Sequence, residues 1–211
     1  MKIGFRMPVA LALVSGACFA NAGITALAYI PIADVLGHRE VVAGYNLYGN
    51  EDKIDKKIYH YGYVCVGVGD FAEIAYGDDF EKGQTVHAKF KLIEGDNYMV
   101  SAGAMNMGER KGIEADWFVA GRYDYKNVRF HAGYLKDNEH RAFFGADFPV
   151  FGDCTAMLEW VTGPDAYGWV SLNVPVKQLP GFNLFFGAGI PSERETQGYQ
   201  YTVGFWYGFK L

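Results

Sequence analysis

The side chains best able to do chemistry are scattered singly through stretches that otherwise alternate apolar with small or polar residues. They are Glu73, Lys89, Lys91, Arg122, Arg129, Arg141, Asp147 and Glu159, with His60, His87 and His131 among them. Successive side chains of an extended chain point to opposite faces. The alternation puts these residues, with Glu40, Glu114 and Asp116, on the face turned away from the apolar set. Hairpin geometry then predicts neighbours. Arg122 is expected opposite Arg129 across a turn at 124–127, and Arg129 near Asp147 on the following strand. Glu73 is expected opposite Lys89, with Lys91 one step below. Adjacent guanidiniums repel unless an anion or carboxylate lies between them. The set therefore fits either a basic constriction that favours anionic solutes or an internal brace neutralised by Asp147 and Glu73. The three histidines read as hydrogen-bonding groups on the same face. No metal-ligand spacing, phosphate-cradling glycine loop or nucleophile elbow occurs. No catalytic residue, metal site or cofactor is expected.

The elements that must position these groups are clearest at the end of the chain. Odd positions read Tyr199, Tyr201, Val203, Phe205, Tyr207, Phe209, Leu211, and even positions read Gln200, Thr202, Gly204, Trp206, Gly208, Lys210. That is a strand with one aromatic face and one polar or glycine face. At the other end, residues 1–22 have the form of a cleaved secretory signal. Lys2 and Arg6 precede an apolar run over 7–17, and Ala20, Asn21 and Ala22 fit a small-x-small cleavage site. Ser15 stands where a lipoprotein signal ending at Cys18 would need a larger apolar residue. The apolar run is shorter than the roughly 20 residues of a spanning helix, and nothing later in the chain is longer. A membrane reading therefore requires a β-barrel. Removing Lys2 and Arg6 with the leader leaves 17 basic against 24 acidic residues and moves the formal charge from −5 to −7. That balance excludes a nucleic-acid binder. Mean hydropathy near zero beside 17% aromatics fits a chain that is apolar on alternate residues.

Twelve strands are predicted, at 39–48, 57–68, 71–77, 84–92, 98–107, 114–123, 128–135, 140–149, 153–162, 167–174, 181–190 and 199–211. In the second, Tyr59, Tyr61, Tyr63 and Cys65 are expected outward, with Val68 paired to Phe71 across a two-residue turn. Outward rings fall in two belts. Tyr45, Tyr76, Trp117, Tyr134 and Trp160 lie near one end of their strands, and Phe90, Tyr98, Tyr123, Phe148 and Phe182 near the other. Two aromatic girdles belong to a membrane barrel rather than a soluble sandwich.

The export signal, the girdles and the alternating terminal strand together resemble a Gram-negative outer-membrane β-barrel, although Leu211 ends the chain where that class has an aromatic. The resemblance implies an all-β, up-and-down antiparallel transmembrane barrel over 38–211, with both ends in the periplasm. It also implies outer-membrane lipid around the barrel and insertion by the barrel-assembly machinery. In size the chain is similar to the small twelve-stranded anion-selective porins. The expected function is a narrow porin-like channel for small hydrophilic solutes, anionic ones included, lined by the charged set above. The alternatives are a non-conducting structural barrel with a closed lumen and a lipid-modifying enzyme. Outer-membrane phospholipase A is also a twelve-stranded barrel, with Ser-His-Asn chemistry facing lipid, but no histidine is expected on the outward face here. Residues 23–37 form an apolar arm broken by Pro31. The arm is expected either to pack on the glycine wall of strands eleven, twelve and one (Gly187, Gly189, Gly204, Gly208, Gly44) or across the mouth below it, or else to hang as a periplasmic tail. Cys65 and Cys154 are both expected to face lipid as small apolar side chains.

Overall fold

The computed structural model describes residues 26–50, 58–80, 83–108, 115–193 and 197–211. Residues 1–25, which hold the expected leader and the start of the arm, lie outside them, as do Glu114 and parts of four loops. The strands are β1 (Glu40–Asn50), β2 (Ile58–Val68), β3 (Ala72–Asp78), β4 (Gln84–Glu94), β5 (Tyr98–Met107) and β6 (Asp116–Tyr125). They continue with β7 (Val128–Lys136), β8 (His140–Pro149), β9 (Thr155–Val161), β10 (Tyr167–Pro175), β11 (Phe182–Pro191) and β12 (Gln200–Lys210). Each pairs with its sequence neighbours, and β12 returns to β1 antiparallel, from Glu40↔Lys210 to Asn50↔Gln200. The result is a closed up-and-down barrel of twelve strands, with no edge left to pair with another chain.

The parity of β12 holds around most of the ring. Tyr201, Val203, Phe205, Tyr207 and Phe209 are exposed outward, while Thr202 and Trp206 are buried inward. Exposed rings gather at two levels, with Tyr76, Trp117, Tyr134 and Trp160 toward the loop end and Phe90, Tyr98, Tyr123 and Phe209 toward the turn end. Val119, Phe144, Leu158 and Val170 are exposed between them. An outer surface this apolar is stable only against hydrocarbon, with the rings at the two interfaces.

Strand β2 departs from expectation. The turn after it holds three residues, because Val68 pairs with Ala72 rather than Phe71. Gly69 and Asp70 both take left-handed conformations there, φ 61° and 58°. One extra residue inverts every side chain of the strand. Tyr61, Tyr63 and Cys65 therefore point inward, and Val64 and Val68 meet lipid. Tyr59, paired with the inward Tyr48, faces inward with them. Packing rewards this register: a Cβ on Gly44 would lie 2.4 Å from the Tyr63 ring, and one on Gly77 would lie 1.9 Å from the Tyr61 hydroxyl. The bulky tyrosines fill space that inward glycines of both neighbouring strands leave open. Cys65 is thus a buried interior thiol, and Cys154 is buried in the turn before β9, both free. His60 turns outward, beside Tyr45, whose hydroxyl it hydrogen-bonds. The expectation of an outer face without histidine is therefore corrected.

The β6–β7 turn shifts pairing without inverting faces. It holds two residues, so Asp124 rather than Arg122 stands opposite Arg129, and Arg122 stands opposite His131. An even error preserves the face and changes only the neighbour.

Candidate functional site

The lumen is the candidate site, and its main occupant is the chain itself. Residues 26–36 run up the inside of the barrel. Ala26, Leu27, Ala28, Ile30, Ile32, Ala33 and Leu36 are all at most 2% exposed. The segment folds back at its tip, where Ala26 bridges Pro31 and the Leu27 amide donates to the Ile30 carbonyl at 3.1 Å. A backbone buried in this way must find partners for its amides and carbonyls. Because Pro31 and the tip turn keep the arm from pairing as a thirteenth strand, wall side chains supply them.

Glu159 of β9 accepts from the amides of Ala28 (3.1 Å) and Ile30 (3.2 Å) through one oxygen. Lys89 of β4 donates to the Ile32 carbonyl at 3.1 Å, and Ser101 of β5 reaches the same oxygen at 3.4 Å. Glu73 of β3 accepts from the Leu36 amide at 2.9 Å. Lys89 and Glu73 also pair with each other at 3.0 Å, both fully buried. The expected opposition of Glu73 and Lys89 is present in the register, and both residues face the arm as well as one another.

A second cluster sits near the turn end. Arg122 pairs with Asp34 of the arm and with Asp124 at 3.0 Å. Arg129 pairs with Asp147 at 2.8 Å and approaches the second Asp34 oxygen at 3.9 Å. His131 meets the other Asp147 oxygen at 2.7 Å. The two guanidiniums are thus neutralised by Asp34 of the arm together with Asp124 and Asp147 of the wall. Asp34 was the residue that sequence reasoning missed. Its signal was available: a lone acid in an apolar run must find a cation if that run is buried. Arg141 lies apart at the loop end, tied to Asp137 at 2.7 Å and to the Pro164 carbonyl at 2.6 Å. Lys91 lies toward the turn end, paired with Glu94. His87 is buried with Thr85 and Tyr61, at 3.0 and 3.2 Å. The eight charged candidates therefore divide into two arm contacts, one at β3–β4 and one at β6–β8, the Glu159 cap, and two residues at the rims.

The arm does not lie on the glycine wall of β11, β12 and β1. Its contacts run from Gly67 of β2 round to Trp169 of β10, with Leu27 and Ile30 where a Cβ on Gly145 of β8 would meet them at 2.6 and 2.8 Å. The glycine wall is instead covered from within the sheet, with Asn46 over Gly204 and Trp169 over Gly189. The arm's side chains and the wall's Phe143, Met157, Phe185 and Trp206 form one buried apolar cluster. Tyr29 at the tip stacks on Trp169, ring centroids 6.0 Å apart and nearly parallel.

Sealed wall and lipid-facing exterior define the class: an outer-membrane β-barrel with the fold of a small porin. The KdgM porin has a similar structure, at TM-score 0.61 and 13% identity over 80% of this chain and 99% of that one. The KdgM porin in complex with disordered oligogalacturonate gives a TM-score of 0.58 at 13% identity, over 81% and 99%. No protein-family model matches the sequence, and no curated protein matches it. At this identity the likeness speaks for the fold.

Proposed function

We propose that this protein is a narrow porin-like channel for small hydrophilic solutes, held closed at rest by residues 26–37. The observation that carries the reading is the manner of the arm's attachment. It is held by side chains at three levels of the wall, Glu159, Lys89 with Glu73, and Arg122 with Arg129, and not by strand pairing. Such an arm can leave without breaking a single inter-strand hydrogen bond. The wall is complete without it, as in a porin.

The charge pattern supports weak selectivity rather than the anionic preference expected from the arginines. Lys89, Arg122, Arg129 and Arg141 each have a carboxylate on the barrel itself: Glu73, Asp124, Asp147 and Asp137. Departure of Asp34 would leave these pairs in place. A porin of the same fold has been solved with oligogalacturonate, an acidic sugar. Passage of so charged a solute would call for surplus cations on the wall.

A second reading, a permanently closed structural barrel, is favoured by the apolar cluster that arm and wall share. Swelling of proteoliposomes in small sugars separates the two. The full-length Asp34→Ala protein is expected to swell vesicles several-fold faster than the unchanged chain, because its turn-end anchor is lost. Vesicles that stay tight with folded Asp34→Ala protein would leave the structural barrel as the better account.

A further inference from the structure

The wall beside the arm's tip carries a group of polar atoms that take no part in holding the arm. The indole nitrogen of Trp169 and the hydroxyls of Ser171 and Thr202 are buried and have no hydrogen-bond partner. All three residues are at most 4% exposed. They are neighbours: Ser171 pairs with Gly187, Gly187 with Thr202, and Thr202 with Tyr48. A Cβ on Gly187 would fall 2.8 Å from the Ser171 hydroxyl and 2.9 Å from Thr202. On β1 beside them, the Asn46 amide nitrogen and the Tyr48 hydroxyl are also buried without a hydrogen-bond partner. Across β9–β10, Glu159 stands opposite Trp169. One of its oxygens holds the arm's amides and the other has no partner. The Tyr29 ring of the arm lies stacked on Trp169 at the margin of this group.

A buried donor or acceptor without a partner is costly, so this patch opposes the closed state and favours whatever satisfies it. Its members are neutral hydroxyls, an amide and an indole, with an aromatic face and one carboxylate. That inventory suits vicinal hydroxyls and the apolar face of a sugar ring. The Glu159 carboxylate, released from the arm, would accept hydrogen bonds from hydroxyls and repel an acidic solute. We infer that the patch of Asn46, Tyr48, Trp169, Ser171 and Thr202, with Glu159, is a recognition site for a neutral, hydroxyl-rich solute that takes the place of Tyr29 when the arm withdraws. The inference rests on the channel reading and names its solute class. A solute that binds only the open form also draws the population toward it.

The test is planar-bilayer recording of the full-length Asp34→Ala protein with two trisaccharides. Maltotriose is expected to interrupt the current saturably, and trigalacturonate at equal concentration to do so much less. Ser171→Ala with Thr202→Val in that background is expected to weaken the maltotriose block about tenfold, as loss of two hydrogen bonds implies. A current that maltotriose leaves untouched, or blocks equally well after the double change, overturns the assignment while the channel stands. Absence of any current removes the channel reading instead. The site is then judged by tryptophan emission of the same protein. A saturable change with maltotriose, lost in Trp169→Phe, upholds it, and no change overturns it.

Discussion

Single residues in this lumen do two jobs, and the double duty sets what mutation should do. Glu73 and Lys89 neutralise each other at 3.0 Å and each also holds one group of the arm backbone. Removing one partner leaves a fully buried charge uncompensated, a change worth about 3–5 kcal/mol. Lys89→Met should therefore lower the stability of the vesicle-folded barrel by roughly that amount in urea titration, and a loss below about 1 kcal/mol would contradict the burial described. Glu159→Ala is milder for the wall but strips two amides at the arm tip of their acceptor. It should raise protease cleavage within 26–36 several-fold in detergent-folded protein, and an unchanged digestion pattern would count against the cap. The charged pairs were legible where the register across the connection came out as expected. Glu73–Lys89 and Arg129–Asp147 were found in this way. The Arg122–Arg129 opposition failed because a two-residue turn moved the ladder by two residues, which kept the faces and changed the neighbours. Asp34 escaped because the arm has no period from which a face could be assigned.

At the scale of elements, β2 is where sequence and structure part. The closing strand was readable because one of its faces is entirely apolar and the other holds glycine, threonine and lysine. In β2 both alternate sets are apolar or small, with tyrosines on one and valines on the other, so hydropathy does not choose between them. The choice is made by space, since tyrosine rings fit over Gly44 and Gly77 of the adjoining strands. A one-residue difference in the turn then inverts the strand. The register is testable with thiol chemistry. In a Cys154→Ser background, Cys65 should resist a lipid-soluble maleimide, while Val64→Cys in a Cys65→Ala chain should label readily. Rapid labelling of Cys65 with the barrel folded would restore the outward assignment. Gly77→Ala belongs to the same argument: its methyl group would displace the Tyr61 hydroxyl from His87. About 1–3 kcal/mol of destabilisation is expected by the same urea titration.

For the whole molecule, the question is how twelve strands fill their interior. Eight strands enclose a space that side chains alone can fill, and sixteen leave an aqueous channel. Twelve lie between, and here the difference is made up by Phe118, Phe143, Phe185 and Trp206 together with an eleven-residue segment of the chain, 26–36. The barrel was readable from the alternating pattern because lipid imposes that pattern on every strand. That residues 23–37 could pack inside was legible as one of two alternatives, but the strands that hold them were not, since an interior segment obeys no periodicity and its anchors are far apart in the chain. The arm's four large apolar side chains, Leu27, Ile30, Ile32 and Leu36, are buried on this scale at about 1.5–3 kcal/mol each. Spontaneous withdrawal is therefore rare, and the unchanged protein should be nearly silent electrically. Single-channel recording of the chain with residues 26–36 deleted, its fold checked by β-signature circular dichroism, tests this most directly. The account predicts a sustained ohmic current from the deleted form against brief, infrequent openings of the full chain. A deleted barrel that folds and inserts yet passes no ions, or a full chain that conducts steadily, would contradict it.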